Sequence, residues 1–268
     1  MNKKNQKKGS NLPYVIIGLV LVVLVGVIAL GTGIIGAGWW VMSRDSSSTA
    51  SSSTAATKNQ PAQRNPANAP PGAPLGVNVL GSPTAVVTVE EFADYQCGAC
   101  AATHPVMKEI QSAYAGNPNF KFVFRHFPLS IPAHAKAYDA AVATEAAGMQ
   151  GKYWQMQDLL FRNQSAWSPN PDHIQMWEGY ASSIGVDVAR FKTDMVGMAA
   201  KQRVDADLAR GRGLGVNSTP TVLINGQMVP PAEVNVMALR RNIDAAIQQA
   251  TAGQAAPAGS SSNSSANQ

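Results

Sequence analysis

The sequence predicts an α/β domain with a helical insertion, preceded by one transmembrane helix and a disordered linker. Three observations predict this architecture. A β-branched apolar run is followed within a few residues by a helical pattern and then by a second β-rich run. A long stretch of helical periodicity, about 133–213, separates that unit from a short third strand. Both ends of the chain have compositions that cannot form a core.

The first eight residues carry four lysines, and nothing from Gly9 through Ser43 is charged. At 1.5 Å rise per residue, a helix over 14–42 would reach about 40 Å, enough to cross a hydrocarbon layer of about 30 Å with some tilt. Lysines ahead of the span, with only Arg44 close behind it, put residues 1–13 in the cytoplasm and everything after Ser43 outside it. Trp39 and Trp40 suit the outer interface. Gly36-Ala37-Gly38 offers small residues for cleavage of a signal peptide, the alternative, but the apolar run is long for a signal. Either reading leaves the rest of the chain extracytoplasmic, secreted or periplasmic if the leader is cut. Within the span, Gly31-Thr-Gly33-Ile-Ile-Gly36 spells a dinucleotide-binding fingerprint. That motif needs a strand before it and a soluble helix after it, and here it has neither.

Residues 43–75 are Ser, Thr, Ala, Asn, Gln and Pro with almost no large apolar side chain, so they read as a disordered tether reaching roughly 30 Å. Residues 251–268 have the same character and read as a disordered tail. The net charge of +5 comes mostly from the four N-terminal lysines, which leaves no electrostatic footprint for nucleic acid.

Between these ends lies the domain, 76–250. Ala85 to Phe92 reads as a strand buried on both faces, Ala101 to Ala115 as a helix with Pro105 as a kink, and Asn119 to Phe127 as a second strand. Crossover handedness makes the two strands parallel neighbours. In the insertion, Tyr153, Met156 and Leu160, then Ile174, Trp177 and Ile184, then Val188, Phe191 and Met195 recur at helical spacing. Asp172 and Asp187 mark helix starts, and Gly211 and Gly213 a stop. Thr221 to Ile224 then meets Asn225-Gly226, a strong hairpin signal, leading into Gln227 to Val229 and a last helix from Glu233 to Gln249.

The chain has two cysteines, Cys97 and Cys100. A structural bridge closing so short a loop would stabilise weakly and strain easily. A metal clip with His104, one helical face along, lacks a second C-x-x-C or a His-x-x-x-His to complete a tetrahedral set. Dithiol-disulfide exchange remains, and it calls for no cofactor. At a helix start, free N–H groups and the helix dipole favour a thiolate, so Cys97 is the attacking sulfur and Cys100, one turn in, the resolving one. His104, His126, His134 and His173 read as packing residues.

Glu91-Phe-Ala-Asp-Tyr-Gln96, Cys97-Gly-Ala-Cys100, Pro105 and Gly215-Val-Asn-Ser-Thr-Pro-Thr-Val-Leu-Ile-Asn-Gly226, with Phe127-Pro-Leu129 and Ile184-Gly-Val-Asp187, resemble the DsbA family, especially its membrane-anchored BdbD-type branch. The likeness covers Gly76 to Gln249. It implies a thioredoxin-like fold, with Pro220 as the family's cis-proline beside the sulfurs. It also implies that Thr219 offers backbone to an extended substrate, and that Glu91 is a buried acid serving Cys100. Where the family commonly has a thiolate-stabilising residue such as His between the cysteines, Gly98 and Ala99 supply only backbone. The implied activity is an oxidase introducing disulfides into exported proteins with free thiols, re-oxidised by a membrane quinone reductase of DsbB or VKOR type. A reductase or isomerase, or a non-catalytic peptide-binding module built on the Pro220 groove, are the alternatives.

Overall fold

The computed structural model describes residues 68–255. The span expected at 14–42, the cytoplasmic start, most of the linker and the end of the tail lie outside them. Among the described residues no helix is long and apolar enough to cross a membrane.

Five strands form one sheet in the order β1-β3-β2-β4-β5. They are β1 (Val79–Gly81), β2 (Val87–Ala93), β3 (Phe120–His126), β4 (Thr221–Ile224) and β5 (Gln227–Met228). β2 lies at the centre, parallel to β3 and antiparallel to β4, with Glu91 opposite Phe124 on one side and Val222 on the other. Helix α1 (Gly98–Ala113) makes the crossover from β2 to β3, as expected, and Pro105 lies within it without ending it. β4 turns into β5 through Asn225 and Gly226, both at positive φ, the geometry that the Asn-Gly pair predicts.

The insertion consists of α2 (Ala137–Gly148), α3 (Tyr153–Arg162), α4 (Gln164–Trp167), α5 (His173–Ser183), α6 (Val188–Val196) and α7 (Met198–Leu214). Asp172 and Asp187 stand at the N-caps of α5 and α6, and the Asp187 side chain accepts from the Arg190 N–H at 2.9 Å. Helix α8 (Val236–Ala255) closes the fold, with Asn235 accepting from the Ala238 N–H at its start.

Because β2 is central, both of its faces are covered. Val87, Val89 and Ala93 join a large core with Met107 and Ile110 of α1, Tyr153 and Met156 of α3, and Leu239 and Ile243 of α8. Phe92 points the other way, into a smaller core with Phe127, Leu214 and Leu223.

Four expectations need correction. Gly211 and Gly213 lie inside α7, which stops at Gly215 in the left-handed conformation; a Cβ on Gly211 would come within 2.6 Å of the Phe127 ring, so this glycine serves close packing. The tail is helical through Ala255, since α8 continues beyond the expected boundary at 250. Strand β1, three residues long and unpredicted, exists by pairing antiparallel to β3. The end of the expected tether, from residue 70 onwards, is docked. Arg210 donates to Pro70 O and Arg125 to Ala73 O, and Arg203 donates to Pro74 O. The Ala73 N–H donates to Asp207 at 2.8 Å. A composition too poor to build a core is ordered here by side chains supplied from elsewhere in the chain.

Candidate active site

Cys97 is the N-cap of α1 and Cys100 lies in its first turn, so both sulfurs sit where the helix leaves N–H groups unpaired. Both are free thiols; Cys97 is 8% exposed and Cys100 fully buried. The Cys97 Sγ donates to the Thr219 carbonyl oxygen at 3.4 Å, and the Thr219–Pro220 peptide is cis. The sequence-predicted residues Cys97, Cys100, Thr219 and Pro220 thus come together at one end of the sheet.

The two sulfurs differ sharply in acidity. A hydrogen bond from the Cys100 side chain, against the cost of burial, brings Cys97 down to about 5, with Thr219 and the backbone N–H groups of Cys100 and Ala99 adding to it. Helix backbone does what Gly98 and Ala99 cannot do with side chains. The Thr219 hydroxyl is buried and makes no hydrogen bond among the described residues, so a donor stands ready for the thiolate. Burial pushes the Cys100 thiol far up, and the hydrogen bond it gives Cys97 pushes it further. Cys97 is therefore the more acidic thiol of the pair, and Cys100 keeps its proton.

Glu91 is buried in the large-core face of β2, where burial raises its carboxyl to about 8. It can hold a proton at neutral pH. The groups that chiefly act on the Cys100 thiol are Cys97, Asp94 and Thr219. The structure thus supports the buried acid but joins it to Cys100 by no direct hydrogen bond. Its neighbour Glu90 faces the opposite side of the sheet, where burial would raise its pKa. Arg210 and Arg125, bonded to it at 2.6–3.0 Å, more than offset that and hold it ionised. Arg125 also meets Asp207 at 2.9 Å.

The loop that delivers Cys97 is held by polar side chains from the loop itself and from the helical insertion. The buried Asp94 accepts from the Gln96 and Leu129 N–H groups and contacts His134 Nδ1 at 2.7 Å. Gln96 donates to Ser168 Oγ and accepts from the Lys136 N–H. Gln164 donates to Tyr95 O and to Cys97 O. Apart from the Asp94–Gln96 turn, these contacts join segments too far apart in the chain for a local spacing to reveal them.

Two of the other histidines, His104 and His126, are engaged by carboxylates within the fold. His104 bonds Asp158 at 3.0 Å and stacks on Phe161, which leaves it unavailable for a metal clip with the cysteines. His126, Glu145 and Asp207 bring ligand atoms within 4.8 Å of one another, but Arg203 and Arg125 already sit on the two carboxylates and balance their charge.

A low-pKa cysteine at a helix start, a buried partner one turn on and a cis-proline against them, all on this sheet, define a dithiol-disulfide exchange protein. The chain belongs to the thioredoxin family, whose model matches residues 76–245. Its fold is also that of solved DsbA-type proteins. α-DsbA1 of Wolbachia pipientis is 20% identical, with a TM-score of 0.56 over 68% of this chain and 96% of that one. BdbD of Bacillus subtilis, in its oxidised form, is 22% identical, with a TM-score of 0.54 over 67% of this chain and 98% of that one. Among curated relatives, a Na(+)/H(+) antiporter NhaA 1 of Mycolicibacterium gilvum is 34% identical over 154 residues, 56% of this chain. The chain spans 23% of that relative's length.

Proposed function

We propose that this chain is an extracytoplasmic, membrane-tethered oxidase that introduces disulfides into exported proteins. The observation that carries the reading is the opposition between Cys97, near 5, and Cys100, pushed far upward. A thiol whose anion is stabilised in the reduced protein makes its disulfide an oxidant, because reduction then releases a stabilised thiolate.

In the proposed cycle the domain starts with a Cys97–Cys100 disulfide. A client thiolate attacks the Cys97 sulfur, forming a mixed disulfide and releasing Cys100, which takes up a proton. A second client thiolate attacks the client sulfur of that mixed disulfide and releases Cys97 as a thiolate. The client leaves with a disulfide, having given two electrons to the pair. A membrane quinone reductase of DsbB or VKOR type takes those electrons and restores the disulfide. Glu91, protonated below about 8, exchanges protons with Cys100 in this scheme through an intervening group. An extended client segment pairs with the Thr219 backbone. Its side chains enter a groove of about 230 Å³ lined by Val216, Pro220, Met228 and Pro230.

Ion antiport, the activity in the names of the curated relatives, forms no part of this proposal, since the match takes in 23% of the protein so named. The test is equilibration of the purified domain with glutathione redox buffers, beside re-oxidation of a reduced, unfolded client. An oxidase has a potential between roughly −230 and −120 mV and forms client disulfides in stoichiometric amounts. A value near −270 mV, where thioredoxin lies, would point to a reductase and overturn the direction proposed.

A further inference from the structure

We infer that Gln164, in the helical insertion, is a positioning residue that sets the acidity of Cys97. The inference rests on the redox reading above and adds to it the residue through which the insertion reaches the thiol.

The geometry begins with a single amide nitrogen. Gln164 Nε2 donates to the carbonyl of Tyr95 at 2.7 Å and to the carbonyl of Cys97 at 3.0 Å, 69 and 67 positions away. Cys97 O also accepts the first helical bond of α1, from the Ala101 N–H at 3.1 Å. Two donors from different elements therefore fix the direction of one carbonyl, and with it the ψ of Cys97, which stands at 117°. That dihedral decides whether the helix N–H groups lie ahead of the Cys97 side chain. The bond to Tyr95 O fixes the chain two residues earlier, so the approach to the cap is held at both ends.

A positioning residue must itself be positioned, and Gln164 is. It opens α4, whose last residue, Trp167, is fully buried, donates from its indole to Leu160 O at 2.7 Å and packs edge-on against Trp177. One residue further on, Ser168 Oγ accepts from Gln96 Nε2 at 2.8 Å. Lys136 reaches the same place, donating from Nζ to Ser168 O and Asn170 O while its N–H donates to Gln96 Oε1. Residues 164–170 thus grip the 95–97 segment from outside the sheet.

Consequences for the sulfur follow from the sources of its acidity. The Cys97 thiolate depends on the Cys100 thiol, on Thr219 and on the N–H groups of Cys100 and Ala99. Each is a directional donor that weakens steeply when misaligned. Without Gln164 the Cys97 carbonyl keeps only its helical bond, the cap gains freedom, and the thiolate spends less time in line with those donors. Its pKa rises, the reduced protein loses stability relative to the oxidised one, and the pair becomes less oxidising. The insertion is then part of the redox device rather than only a cover for the sheet.

The test uses Gln164→Met, which keeps length and removes the donor, Gln164→Glu, which replaces the donor with an anion, and Gln164→Lys, which restores a donor. Thiolate absorbance against pH gives the Cys97 pKa, and glutathione equilibration gives the redox constant. Gln164→Met should raise the pKa by about one unit and shift the equilibrium about tenfold toward the disulfide form, since one unit is a factor of ten. Gln164→Glu should raise the pKa further, and Gln164→Lys should return it to the wild-type value or below. A folded Gln164→Met protein with pKa and equilibrium within twofold of wild type would overturn the inference. Should that variant not fold, a Gln164→Glu pKa at or below wild type would do the same. A wild-type thiol titrating near 8.5 would instead overturn the redox reading, so the two failures are distinct.

Discussion

Cys97 and Thr219 meet at 3.4 Å, thiol to carbonyl oxygen, although 122 positions separate them in the chain. Thr219 precedes β4, and β4 pairs antiparallel with β2, the strand that leads into Cys97. The sheet thus places the proline loop against the start of α1.

Trapping of mixed disulfides tests the roles of the two sulfurs. Cys100→Ser should accumulate adducts with exported proteins, because Cys100 can no longer attack the Cys97 sulfur of the mixed disulfide and expel the client, which leaves a second client thiol as the way out. Cys97→Ser should trap almost none, since Cys100 is fully buried and far less acidic. Equal adduct levels on non-reducing gels would sink the assignment.

Acidity gives a second prediction. The rate of Cys97 alkylation by iodoacetamide should titrate with a midpoint near 5 and stay high at neutral pH. Stability of the reduced protein carries two opposing slopes over roughly pH 5 to 8. Cys97 is lowered from its unfolded value of about 8.5, so its contribution is present above that value and lost as pH falls toward 5. Glu91 is raised from 4.5 to about 8, so its contribution is present below 4.5 and lost as pH rises through 8. Glu91→Gln removes the second slope, and reduced Glu91→Gln should then gain up to about 1.4 kcal/mol per pH unit across this window. Urea denaturation at several pH values checks it; identical profiles for variant and wild type would contradict it.

Arg125 bonds the buried carboxylates of Glu90 and Asp207 and a carbonyl of the docked segment. Arg125→Met leaves the buried Asp207 without its guanidinium and Glu90 with Arg210 alone, and should cost about 3–5 kcal/mol. The Cys97 pKa should stay near 5, because the groups that chiefly lower it, Cys100, Thr219 and the N–H groups of Cys100 and Ala99, lie outside this network. A large shift in thiol acidity would show the two regions to be coupled.

The membrane tether is tested on the full-length chain. Protein held by an apolar span over 14–42 should remain with membranes through an alkaline carbonate wash, which strips proteins bound by charge. Recovery as soluble protein lacking its first forty or so residues would support leader cleavage instead.

The parts of this protein whose physics is local are legible in its amino-acid order. A β-branched run makes β2, a C-x-x-C pair at a helix start makes an asymmetric dithiol, and Asn225-Gly226 makes the β4–β5 turn. The strand, the turn and the placing of the two cysteines at a helix start need only neighbours in the chain, whereas the unequal acidity of the thiols also draws on burial and on Thr219. Tertiary structure alone decided the rest. Strand β1 is too short to show a period and forms only because β3 offers it a partner. Ala73 and the prolines around it have no large apolar side chains and are ordered by Arg125, Arg203, Arg210 and Asp207, from 52 to 140 positions away. Gln164 looks like any helix-surface amide until the fold brings it against the carbonyls of Tyr95 and Cys97. Polar contacts between distant segments have no sequence period, because the fold, rather than the local chain, sets which groups they join.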